Sequence, residues 1–149
     1  MFDAQFKRIG EYNWLTKKFS DAVKKLYPHP IAVVTQQFYE PSLLSDFVIL
    51  TDTTIDVVTG EPVNAHDTKY SCTIVSYPIR AIQKIHVEFA ETPLIPDKGY
   101  DLNAVNQKVT ITVDTGQAIV IDYLHVPAYY LQSLSKELEH FTRELKARM

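Results

Sequence analysis

Two periodicities divide the chain. Between residues 12 and 26 apolar side chains recur every three to four positions. Leu15, Phe19, Ala22, Val23 and Leu26 share one face, while Lys17, Lys18, Asp21, Lys24 and Lys25 share the other. That spacing predicts an amphipathic helix. Pro28 and Pro30 end it, because proline cannot continue a helix and disfavours helical geometry in the residue before it. Phe2, Phe6 and Ile9 allow a further turn or two before Gly10.

From Ile31 to Tyr123 the period shortens to two, and turn residues punctuate the text. Seven strands are predicted: 31–39, 47–51, 55–59, 71–77, 79–89, 108–113 and 117–123. Glu40-Pro41-Ser42, Asp52-Thr53-Thr54 and Gly60-Glu61-Pro62 supply turn or stop signals. In 79–89, Ile79, Ala81, Ile85, Val87 and Phe89 face one way; Arg80, Lys84, His86 and Glu88 face the other. Gln83 and Ile82 are the exceptions. That alternation predicts a half-buried strand. Asp114-Thr115-Gly116 reads as a hairpin turn, with glycine available for positive φ. Residues 60–69 read as a polar loop. Residues 91–106, with Pro93, Pro96 and Gly99, read as a long excursion, either functional or merely mobile.

The helical period then returns. Pro127 suits a first helical turn, and Tyr130, Leu131, Leu134, Leu138, Phe141 and Leu145 follow at spacings of three and four. Glu139/Arg143 and Glu144/Arg148 are favourable i,i+4 pairs. Burying this stripe contributes on the order of 10 kcal/mol before chain entropy is subtracted. Its natural place is across the open face of the sheet. The pattern therefore predicts one α+β domain over 1–149: a helix over 12–26, antiparallel strands over 31–123 and a capping helix over 127–147.

Composition agrees with a packed core. The chain has 149 residues, 46% of them hydrophobic and 22% charged, which is ordinary for a globular protein. Cys72 is the only cysteine, so no internal disulfide can form. With no apolar leader at the N-terminus and no run of roughly 20 apolar residues, a cytoplasmic protein is expected. The net charge of −3 is uneven. Residues 1–27 carry +3, residues 28–125 carry −7 and residues 126–149 carry +1. An acidic centre repels phosphates, so no nucleic-acid partner is expected there.

Seven strands followed by one amphipathic helix is the element order of the pleckstrin-homology-like (PH-like) fold, and three stretches resemble its bacterial branch. Phe47–Val58 (FVILTDTTIDVV) resembles paired strands around a Thr-Asp turn. Tyr77–Glu88 (YPIRAIQKIHVE) resembles the Ile-Pro-Tyr-x-x-Ile-x-x-Ile strand. Val109–Ile121 (VTITVDTGQAIVI) resembles the hairpin with an acidic residue and glycine at its tip. Over roughly 40–148 the chain is similar to uncharacterised domain families of Gram-positive bacteria and their phages. The resemblance implies a seven-stranded antiparallel sandwich or barrel capped by the C-terminal helix, with the N-terminal helix as an addition. Bacterial members are mostly interaction or self-assembly modules. Eukaryotic members often bind phosphoinositides through basic residues between the first two strands. Here Glu40–Asp46 and Asp52–Thr54 contain no Lys or Arg, so that activity does not carry over.

Candidate chemistry is sparse. His86 and Glu88 share a strand face about 7 Å apart, either as two-thirds of a metal or acid–base site or as an ordinary polar face. His29, His66, His125 and His140 lack ligand spacing. Cys72 could be a nucleophile, but its place inside a strand suits a small buried residue. Asp52, Asp56 and Asp114 sit at turns or strand ends, where aspartate serves local hydrogen bonds. Gly10, Gly60, Gly99 and Gly116 are isolated, which excludes a nucleotide-binding glycine loop. No catalytic, cofactor-binding or metal residue is assigned, and no cofactor is expected. Lys17, Lys18, Lys24 and Lys25 could meet an acidic partner or membrane surface, or simply solvate the helix. Phe2, Phe6, Tyr12 and Trp14 could bind a partner or seal the domain. The expectation is a non-enzymatic protein-interaction or self-assembly module. The alternative is a ligand-binding protein or enzyme with a pocket between sheet and helix.

Overall fold

The computed structural model describes residues 5–6, 14–35, 46–63, 69–91, 105–124 and 128–149, with the backbone alone at 14, 46, 91, 105 and 128–132. The architecture is α+β, with two antiparallel sheets and a C-terminal helix. The chain divides into two compact units, Met1–Pro78 and Ile79–Met149.

In the first unit, helix α1 (Trp14–Leu26) precedes strands β1 (Ala32–Thr35), β2 (Asp46–Leu50), β3 (Thr54–Pro62) and β4 (Tyr70–Pro78). The strands form a meander in the order β1-β2-β3-β4. Each neighbour is antiparallel, with Val33 opposite Ile49, Phe47 opposite Val58 and Gly60 opposite Cys72. The β2–β3 turn is tied by Thr51, whose backbone N–H donates to the Thr54 carbonyl at 2.9 Å. Its hydroxyl oxygen accepts from the Thr54 N–H at 3.0 Å. Leu15, Phe19 and Val23 of α1 pack with Phe6, Val33, Phe47, Ile49 and Val58. Phe19 lies 5.8 Å from Phe47 and 5.6 Å from Tyr70, ring centre to ring centre. Such pairs add roughly 0.5–1.5 kcal/mol each to the area they bury. Ala32, Val34, Val48, Leu50 and Ile55, on the opposite face, are buried as well.

The helix does not use all of its predicted stripe. Leu26, placed on the apolar face by periodicity, is 62% exposed. The helix ends there, and Tyr27, whose N–H closes the last turn onto the Val23 carbonyl, packs against the core instead. Strand β3 runs through Gly60-Glu61-Pro62 rather than stopping there. Gly60 lets Phe19 approach: a Cβ at Gly60 would stand 2.7 Å from the Phe19 ring.

In the second unit, Ile79–Ala81 forms a single tight 3-10 turn rather than the start of a strand. Strands β5 (Ile82–Glu91), β6 (Val105–Val113) and β7 (Ala118–Asp122) follow in the order β5-β6-β7. Gly116 has φ 86° in the β6–β7 turn, as its position predicted. Helix α2 (Ala128–Arg148) lies against β6. Leu134, Leu138, Phe141 and Leu145 are buried, as are Val109, Ile111, Val113, Ile119 and Ile121 of the sheet. The side chain of Leu131 lies outside the described residues. The alternation expected for 79–89 holds only in part. Ile79 is buried, but Val87 is 40% and Phe89 70% exposed. β5 is an edge strand, and its far half lacks the cover that β6 receives.

Candidate functional site

The broadest uncommitted feature among the described residues is the outer edge of β4. Exposed strand edges present unpaired backbone groups, which proteins ordinarily protect by shortness, charge or a bulge. Three of the four sheet edges have such protection. The four described residues of β1 are all buried; β7 has five residues. β5 is longer, but carries Lys84 and Glu88 and shifts register between Ile82 and Lys84. β4 has nine residues, YSCTIVSYP, with no charge among them. It pairs with β3 without a break from Thr54↔Pro78 to Pro62↔Tyr70.

The direction of the β4 backbone groups follows from the ladder. The Val63 N–H donates to the Lys69 carbonyl at 2.9 Å, in the same register as the β3–β4 pairs. Bonded pairs alternate along an antiparallel ladder, so the odd residues of β4 bond inward to β3. Tyr70, Cys72, Ile74 and Ser76 turn their backbone groups outward. Ser71 through Ser76 are all exposed, with Ile74 at 40% and Val75 at 43% on opposite faces. An outward hydrogen-bonding row flanked by β-branched side chains is chemically a template for another strand.

The face of β3 beneath α1 carries a second polar feature. The Tyr27 hydroxyl donates to Asp56 Oδ2 at 2.6 Å. Asp56 is buried, and its Oδ1 has no hydrogen-bond partner. Burial first, then donation to Asp56 and its negative charge, raise the Tyr27 pKa far above the ordinary phenol value. Asp56 therefore serves a contact 29 residues away in sequence rather than a local turn. Sequence reading missed this pair, because Tyr27 lies just beyond the helix and no local pattern joins it to β3.

The other candidates come out as follows. Cys72 is exposed rather than buried, because β4 is an edge. Partial burial still raises its pKa, which keeps the thiol protonated near neutrality and weakens it as a nucleophile. His86 Nε2 and Glu88 Oε1 do meet, at 3.2 Å, with both side chains about half exposed. Among the described residues no three of His, Cys, Asp and Glu gather as a metal site. Asp52 and Asp114 lie exposed at turns, and His29 is exposed beyond α1. His140 Nδ1 lies 3.3 Å from Arg143 on α2. His66, His125, Phe2, Tyr12, the Trp14 side chain and nearly all of the 91–106 excursion lie outside the described residues, whereas Phe6 belongs to the core. Lys17, Lys18, Lys24 and Lys25 are exposed, and Lys17 pairs with Asp21 at 2.8 Å. No described helix is long and apolar enough to cross a membrane.

The edge of β4 was readable in principle. β3, β5 and β6 each carry at least one charged residue within their spans, whereas Tyr70–Pro78 carries none. What periodicity could not supply is the strand order that leaves this segment outermost. Comparison with protein-family models, curated proteins and solved structures finds no match to this chain.

Proposed function

We propose that the chain is a non-enzymatic protein-interaction module of PH-like fold that works inside the cell and engages its partner along the β4 edge. The carrying observation is the nine-residue uncharged edge with an outward backbone row. The order of four strands, three strands and a helix supports the PH-like reading. The test is affinity capture from the native host with mass-spectrometric identification, comparing the natural chain with Ile74→Lys. Loss of the captured partner with an unchanged circular-dichroism spectrum supports the reading. Capture that is indifferent to Ile74→Lys removes β4 as the site.

A second reading, small-ligand binding, rests on a surface depression of about 450 Å³ between β5, β6 and α2. Val87, Gln107, Glu139, Thr142, Arg143 and Lys146 line it. Thr142 Oγ1 is buried there without a hydrogen-bond partner. Its size is within the range of small-molecule sites, and Arg143 with Lys146 would suit a carboxylate. Chemical-shift changes confined to these residues on adding short carboxylic acids support this reading. Unmoved shifts across the series remove it.

A further inference from the structure

We infer that the occupant of the β4 edge is a second copy of this chain, paired antiparallel about a two-fold axis at Ile74. The inference rests on the interaction reading above and names its partner.

Charge is the first argument. In a symmetric antiparallel contact the residue on the axis meets its own kind, so a charge there would repel itself, and an uncharged strand meets no charge at any position. The segment 28–125 carries −7, yet β4 carries no charge. It is the one long sheet edge among the described residues with no charge along it. β5 carries Lys84 and Glu88, and its register shifts between Ile82 and Lys84.

Geometry is the second. Tyr70–Pro78 has nine residues, so Ile74 is its midpoint. Two strands related by a two-fold axis perpendicular to the sheet keep the same face up. Directly opposed residues must therefore share a parity, and pairing about Ile74 meets that condition. It overlaps the whole strand. The outward-turned residues then form the bonded pairs. Ile74 meets the partner's Ile74, and Cys72 meets the partner's Ser76. The Tyr70 N–H reaches the partner's Pro78 carbonyl. Pro78 has no N–H to return, so the ladder ends there on both sides. The close, non-bonded pairs set Thr73 against the partner's Val75, two β-branched side chains of similar shape. Cys72 stands four residues from the partner's Cys72 in this register, so the dimer is not disulfide-linked.

The test uses the full chain in reducing buffer. Sedimentation velocity over a concentration series should reach twice the 17.1 kDa of one chain. Ile74→Lys should return the monomer. Ser76→Pro removes an outward N–H and no bond to β3, so it should do the same with the fold intact by circular dichroism. The register is read by oxidative cross-linking in a Cys72→Ser background. Thr73→Cys with Val75→Cys together should give covalent dimer, and each alone much less. A natural chain that stays monomeric at every concentration overturns the second copy. A dimer that survives both Ile74→Lys and Ser76→Pro overturns the β4 contact. Strong cross-linking by Thr73→Cys alone overturns the Ile74 axis. The broader interaction reading fails separately, if host capture is unaffected by Ile74→Lys.

Discussion

At the scale of single residues, the Tyr27–Asp56 pair shows how one hydroxyl can decide whether a buried carboxylate is tolerated. Oδ2 has its donor, while Oδ1 has none. Tyr27→Phe takes away the remaining bond and should cost about 1–3 kcal/mol in urea denaturation, the range for leaving a buried polar group unsatisfied. Replacing both members, Tyr27→Phe with Asp56→Leu, should recover most of that loss. The pair also fixes a sign for pH dependence. The folded phenol holds its proton above the ordinary value of 10.0. Below about pH 10 both folded and unfolded chains keep it, and the contribution is whole. Above that, the unfolded chain releases its proton first and stability falls as pH rises. Denaturation midpoints at pH 8 and about pH 11 should therefore differ less in Tyr27→Phe than in the natural chain.

At the scale of elements, the fit of α1 on the first sheet depends on a missing side chain. Phe19 is fully buried and flanked by Phe47 and Tyr70, so its ring cannot swing away from Gly60. Gly60→Ala should cost about 1–3 kcal/mol by thermal or chemical denaturation, as overpacked cores do. Adding Phe19→Leu should return part of it. These elements also show what a sequence can carry. The stripe Leu134, Leu138, Phe141 and Leu145 was legible because helix α2 buries one continuous face. The turn at Asp114-Thr115-Gly116 was legible because its glycine adopts the positive φ that glycine favours. Leu26 and Phe89 were misplaced for a common reason. Periodicity assigns a face to a residue, whereas burial depends on whether another element extends far enough to cover it. Asp56 and Cys72 were misread likewise, since their surroundings come from α1 and from strand order.

At the scale of the whole molecule, the proposed association differs from one made through the lysines of α1. Counter-ions screen contacts between charges, but a backbone ladder through β4 brings no charge into play. The dimer's dissociation midpoint should therefore hardly move between low and high ionic strength in sedimentation experiments. Binding of an acidic partner through Lys17, Lys18, Lys24 and Lys25 would weaken steeply over the same range.

The burial of β1 has a consequence of its own. A sheet with two usable margins can add copies head to tail without limit and grow into a fibre. Here the described residues of the far margin are all buried. Once β4 is joined to β4, no comparable margin of that sheet remains among the described residues to recruit a third copy. Growth would stop at two, and the feature that makes the chain sticky would also make the assembly finite.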